Sequence, residues 1–228
     1  MVTSFERIVI DVPDLERAVS SYQQLTGLEG ISAVLPGTGE VRWFGLGNTV
    51  VQLQPSENGA ASLSGLVFRT EGEGPVSGPV ANDLSLDLRL SAGDELAGAA
   101  GDSLPTGDLR VDHVVLRTGD AQDCIALFTG RLEIRLALDR LVPEWGGRML
   151  FFRAGKLTLE VIASEDIAQT EFWGIAYQCA DIEVTRSRLL KRGVSVTDIR
   201  EGRKPGTRVA TVKSHCLDIP TLLIGPAT

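Results

Sequence analysis

The chain has 228 residues, 43% of them hydrophobic, with 22 basic against 30 acidic side chains and a formal charge of -8 at pH 7. That is apolar material for one large core or two cores of roughly 100 residues each, and the acidic balance argues against nucleic acid or an anionic membrane as partner. The opening MVTSFERIVIDV lacks a basic n-region, and no run approaches the roughly 18 apolar residues of a membrane span, so a cytoplasmic protein is expected.

The first strand is read in FERIVIDV, from Phe5. Asp14 then stands near a helix start, and Leu15, Val19, Tyr22 and Leu25 recur at spacings of four and three, on one helical face. Over 41–54 two apolar runs flank Gly47, as in a β-hairpin. SGLVFRT, from Ser64, gives the next strand. The stretch after it, EGEGPVSGPVAND, is too rich in Gly and Pro to hold a helix, so the unit it belongs to is expected to be reduced to strands such as LSLDLRLS. Small and turn-forming residues over 92–107 mark a linker between halves spanning 1–91 and 108–228.

The second half repeats the first. VDHVVLRTGDAQDCIALFTGRLEIRL, from Val111, matches FERIVIDVPDLERAVSSYQQLTGLEGI without a gap, with Asp120 as N-cap and Ile125 and Phe128 as the buried stripe. Residues 148–162 form the matching hairpin around Gly155, and WGIAYQC, from Trp173, matches SGLVFRT. A helix follows with Ile182, Val184, Leu189 and Leu190 as its apolar residues and Gly193 as its C-cap, and then strands VSVTDI, RVATVKS and PTLLIG. Cys124, Cys179 and Cys216 are widely spaced with no CxxC pair, and read as reduced, packed thiols.

The order and spacing of VDHVVL, the IALF helix, KLTLEVIAS and RLLKRGVSV…PTLLIG resemble the vicinal oxygen chelate superfamily of glyoxalase I, bleomycin-resistance proteins and extradiol dioxygenases. The resemblance implies an α+β fold of tandem βαβββ modules curling into incomplete barrels, here with the second module degenerate. It also implies a small-molecule pocket, and possible chemistry as a metal-dependent lyase, isomerase or dioxygenase on a substrate with vicinal oxygens. The alternative is a metal-free binding or sequestering protein of the same fold.

In that family a divalent metal (Zn, Fe, Mn, Ni or Mg) takes ligands from the first and last strands of each module. Carried over, the pattern gives His113 and Glu160 in the third module as metal and catalytic candidates, with Gln52 as a further ligand position. Arg7 falls on the first-strand position of module one, Gly65 and Gly174 on those of modules two and four, and Leu223 on the last strand of module four, while module two offers no last-strand residue. Two ligands fall short of the three that a catalytic site uses, which favours the metal-free alternative or a metal-free enzyme, whereas His113 and Glu160 kept together in one module favour the metal-dependent one, and the two readings stay open. His113 could equally be a hydrogen-bonded barrel histidine, and Glu160, on an otherwise apolar strand, must find a partner or solvent. Arg7, Trp145, Phe152, Trp173, Tyr177 and His215 are the remaining pocket candidates, and REGRK around Arg203 reads as a solvated loop. A sheet face bared by the damaged module would be covered by a second copy, so a homodimer is expected.

Overall fold

The computed structural model describes residues 1–71, 77–93, 96, 104–145 and 147–227. The segment 92–107 lies largely outside them, as do 72–76 of the Gly/Pro-rich stretch. Among the described residues no helix is long and apolar enough to cross a membrane.

The first half builds a seven-stranded sheet. It contains β1 (Val2–Val12), β2 (Ile31–Leu35), β3 (Gly39–Gly45), β4 (Val50–Pro55), β5 (Ser62–Thr70), β6 (Gly78–Pro79) and β7 (Asp87–Ser91), with α1 (Leu15–Thr26) after β1. The second half builds an eight-stranded sheet from β8 (Arg110–Thr118), β9 (Arg135–Val142), β10 (Gly147–Ala154), β11 (Leu157–Ala163), β12 (Glu171–Gln178), β13 (Arg200–Glu201), β14 (Thr207–Val212) and β15 (Thr221–Pro226). Its helices are α2 (Ala121–Ile125), continued by a π-helical turn over Ala126–Arg131, and α3 (Ile182–Lys191).

Both sheets are wired alike. The opening strands of consecutive modules run antiparallel at the centre, β1 with β5 and β8 with β12. Each lies parallel to the closing strand of its own module: β1 to β4, β5 to β7, β8 to β11 and β12 to β15. Modules one and two therefore share one sheet, and modules three and four share the other. Module two keeps the parallel β5–β7 pair and a two-residue β6, the reduction to strands that its Gly and Pro content predicts.

Local chemistry explains the helices. Asp14, Asp120 and Asp181 each accept a backbone N–H of the first turn, and Gly27 ends α1 at φ 78°, where a side chain would be strained. Val19, Tyr22 and Leu25 are buried on α1 as their spacing predicts. In the second half the π-helical turn rotates the face, so that Cys124, Leu127 and Phe128 are buried and Ile125 only partly so. On α3 the buried residues are Ile182, Thr185 and Leu189, leaving Val184 and Leu190 exposed. VSVTDI is not a strand: only Val196 bridges to Val212, and the pairing segment is β13.

The strands alternate between two faces. Ile8, Ile10 and Val12 of β1, Phe68 of β5, Val114 and Leu116 of β8, Phe152 of β10 and Leu159 of β11 all belong to one buried cluster, so the two sheets share a core. The hydroxyls of Tyr22 on α1 and Tyr177 on β12 meet across it at 2.9 Å. Leu66, Phe68 and Leu88, the residues that a module-two helix would cover, are buried in that core, and Arg131 after α2 donates to the Ala81 carbonyl at 2.5 Å. The core face of β5 and β7 is thus covered from within the chain, and the reason for expecting a second copy there is removed.

Candidate functional site

The residues turned away from the core define two cups. Strand pairing maps the second one directly. One row across the sheet reads Arg153, Thr158, His113, Ala176, Leu222 and Thr211. The next reads Leu138, Phe151, Glu160, Val115 and Gly174. His113 and Glu160 are diagonal neighbours, and Nε2 of the histidine lies 3.5 Å from Oε2 of the carboxylate. Their side chains are 16% and 18% exposed, which leaves them reachable but poorly hydrated.

His113 has a second carboxylate, which the sequence pattern hid. Neighbours on a strand should face opposite ways, yet Asp112 Oδ2 sits 2.9 Å from His113 Nδ1. The cause is a β-bulge: Val111 pairs with Tyr177 and His113 with Ala176, so Asp112 is an extra residue whose side chain is re-aimed. The hydrogen bond from His113 holds the Asp112 carboxyl below the usual carboxylate range, against the opposing effect of burial, with Lys204 and Arg153 adding to the lowering. Asp112 orients the imidazole through Nδ1 and leaves Nε2 facing Glu160, the arrangement in which a carboxylate positions a histidine.

The first cup repeats this geometry with different chemistry. Phe5 pairs with Phe68 and Arg7 with Val67, so Glu6 is the bulged residue, and its Oε1 lies 3.5 Å from Arg7 Nε. An acid bulged against the residue that follows it is therefore present in both halves. Here the pair is sealed, with Glu6 5% and Arg7 3% exposed. Arg7 stacks over Trp43 at 5.6 Å, and Gln52 Oε1 accepts from the Trp43 indole at 3.0 Å and from Arg7 at 3.4 Å. Leu96 and Leu104 pack against the small cluster of Ala33, Val41, Trp43 and Val50. Thr106 bridges to Gly45, where a Cβ would stand 2.5 Å from the Pro105 carbonyl. The first cup is filled by its own side chains and closed by the segment that joins the halves.

Register also completes the ligand comparison. Glu160 pairs with the residue two past His113, and Gln52 with the residue two past Arg7. By the same rule the last-strand positions of modules four and two are Leu222, opposite Ala176, and Arg89, opposite Val67. Leu223, to which sequence spacing pointed, is fully buried in the shared core. The four equivalent positions are thus Arg7, Gln52, Gly65 and Arg89 in the first cup and His113, Glu160, Gly174 and Leu222 in the second.

Neither set fits a catalytic divalent metal, which uses about three protein ligands. The four equivalent positions of the second cup offer one imidazole and one carboxylate opposite a glycine and a leucine, and those of the first set the Arg7 guanidinium beside Gln52 with Arg89 and a glycine at the other two. Among the described residues no group of three or more His, Cys, Asp and Glu side chains is arranged to hold a metal ion. Gln52, expected as a ligand position, spends its carbonyl on Trp43 and Arg7.

Of the other pocket candidates, Phe152 and Tyr177 are corrected. Both are fully buried on the core side, because they alternate with cup-facing Phe151 and Ala176. Arg7 belongs to the closed first cup. His215 bonds Ser214 at 2.8 Å in the connection between β14 and β15. Trp173, at the bulge in β12, is 43% exposed beneath the Arg117 guanidinium at 5.9 Å. Trp145 lies under the Arg203 guanidinium at 5.5 Å. That contact ties the β9–β10 connection to the β13–β14 turn, so opposite edges of the eight-stranded sheet meet and the sheet is curled. A shallow depression on the outer face of α3, along Val184, Ser187 and Lys191, lies away from these groups.

Paired modules in curled sheets, with polar residues gathered in the hollow, define the vicinal oxygen chelate fold. Residues 112–211 match the model of the Glyoxalase/Bleomycin resistance protein/Dioxygenase superfamily. The whole chain superposes on a triple mutant of 4-hydroxymandelate synthase from Streptomyces coelicolor, with TM-score 0.71, 14% identity, and coverage of 100% of this chain and 93% of that one. Methylmalonyl-CoA epimerase from Mycobacterium tuberculosis aligns with 57% of this chain and 96% of its own at 18% identity, TM-score 0.45. No curated protein matches by sequence.

Proposed function

We propose that the second cup binds a small organic molecule without a protein-held catalytic metal, and that Asp112, His113 and Glu160 form its polar end. Val115, Phe151 and Leu222 supply an apolar lining on the same face, the usual composition of a small-molecule site. The observation that carries the reading is the 3.5 Å approach of His113 to Glu160 opposite Gly174 and Leu222, which keeps two acceptors and removes the ligands a metal would need.

A hydroxyl or N–H of the ligand directed between Nε2 and the Glu160 carboxylate satisfies both acceptors. A specific observation favours a second reading, metal-free proton transfer: Asp112 backs His113 through Nδ1 at 2.9 Å, so Nε2 can take a proton while Asp112 stabilises the resulting imidazolium. The enzyme neighbours of this fold, an epimerase and a synthase by name, are compatible with either reading.

The test is ligand-observed NMR on a fragment library with wild type, His113→Ala and Glu160→Gln, each with and without EDTA. The expected result is a set of hits that survives EDTA and loses about tenfold in affinity in each variant, the equivalent of one charge-assisted hydrogen bond. Binding abolished by EDTA and restored by one transition metal would overturn the metal-free assignment.

A further inference from the structure

We propose that the ligand of the second cup is an organic anion, a hydroxy acid or related carboxylate, whose carboxylate is read by Arg153 and Lys204 while its donor group meets His113 and Glu160. The inference rests on the binding role assigned to that cup and adds the charge and class of its ligand.

Arg153 stands on the cup face by register: it pairs with Thr158, and Thr158 pairs with His113. Two strand spacings place its Cα about 10 Å from that of His113, within reach of a guanidinium and a ligand carboxylate joined end to end. Lys204 comes from the other edge of the sheet. Its turn is held by the Lys204 carbonyl, which accepts the Thr207 hydroxyl at 2.5 Å and the Thr207 N–H at 3.2 Å. The neighbouring Arg203 anchors the same turn on Trp145, across the curl. Both cations are exposed, Arg153 in the same row as His113 and Lys204 in the turn that Arg203 ties to Trp145, and in keeping with that placement both help to hold the Asp112 carboxyl low.

Some of the 22 basic side chains are engaged by carboxylates elsewhere on the molecule. Arg42, Arg69, Arg89, Arg117, Arg148, Arg186, Arg188 and Arg208 each lie within 4 Å of a carboxylate. Among the described residues Arg153 and Lys204 make no such pair, although the chain carries 30 acidic groups against 22 basic ones. Two uncommitted cations beside a reachable histidine and carboxylate complement a ligand with an acid at one end and a hydrogen-bond donor at the other. Thr158, between Arg153 and His113 in the row, lies where the middle of such a ligand passes.

The experiment uses matched probes differing only in charge: 4-hydroxybenzoate with 4-hydroxybenzamide, and 2-hydroxyhexanoate with 2-hydroxyhexanamide. Affinities are measured by titration NMR at two ionic strengths on wild type, on the double variant Arg153→Gln/Lys204→Gln, and on His113→Ala. The expected result is a tenfold or greater preference for the acids, lost in the double variant and weakened by salt, with amide binding unchanged by the double variant and reduced by His113→Ala. Circular dichroism confirms folding of the double variant, whose altered side chains are solvent-exposed. Acids and amides bound equally, or an acid preference that survives the double variant, overturns the anion assignment and leaves the cup reading intact. No binding of any probe overturns both.

Discussion

At the level of single residues, the two cups differ by a small number of substitutions on one geometry. Each half bulges an acid against the next residue, but Glu6 meets a permanent cation in Arg7, whereas Asp112 meets an imidazole in His113. A guanidinium is a fixed donor with no basic lone pair to offer, whereas an imidazole has two ring nitrogens, one of which is left for a ligand when the other meets a carboxylate. The low position of the Asp112 carboxyl fixes the sign of its linkage: its stabilising effect is present above the ordinary carboxylate range, about pH 4, and is lost as pH falls through the depressed value. Asp112→Asn is therefore expected to weaken ligand affinity at pH 7, an effect that shrinks only as pH falls below the ordinary carboxylate range, read by the same titration across a pH series. The cysteines are a separate residue-scale case. Burial pushes the Cys124 thiol up to about 12 and raises Cys179 and Cys216 as well, and all three are free and buried. At pH 8 they remain thiols, so iodoacetamide should leave the native protein unlabelled for hours and label three sites in guanidinium. Rapid labelling of the native chain would contradict the packing described.

Among the elements, the β3–β4 hairpin and the segment 104–107 decide that the first cup is closed. Gly45 allows the close approach, since any Cβ there meets the Pro105 carbonyl and the Leu104 side chain. Gly45→Val is expected to displace the segment at a cost of about 1–3 kcal/mol, seen as a lower denaturant midpoint and as increased exposure of Trp43 to acrylamide quenching. Unchanged stability and quenching would show that the closing contact is dispensable. The hairpins, the helix caps and the reduction of module two were legible in the sequence because each depends on neighbours in the chain. Asp112, Arg89 and Leu222 were not, because a bulge or a one-residue shift in register changes which face a side chain takes, and both are set by a partner strand far away in sequence.

For the molecule as a whole, two sheets that would each need a cover provide it for one another. The shared core predicts a single cooperative unfolding transition, with tryptophan fluorescence and far-ultraviolet circular dichroism coincident; two resolved transitions would show that the halves are independent. Tyr22 and Tyr177 join the halves, and burial raises both phenols above their ordinary range. Their stabilising effect is full below about pH 10, where unfolded tyrosine begins to ionise, and is lost as pH rises above it. Tyr22→Phe, which strands the Tyr177 hydroxyl, is expected to cost about 1–3 kcal/mol at neutral pH, measured by denaturant melts. Sedimentation at micromolar concentration tests the homodimer, which the internally covered face no longer requires.

The sequence by itself determined the modular repeat and the reduced second module, since these follow from hydrophobic period and turn residues along the chain, and its resemblance to a known superfamily supplied His113 with Glu160 as a candidate pair. Only the tertiary structure decided that Glu6 and Arg7 are sealed in one cup while His113 and Glu160 stay partly exposed in the other. Whether a hollow is filled depends on which distant segment lies across it and on which face each bulged side chain takes, and both are set when the sheets curl and pack together.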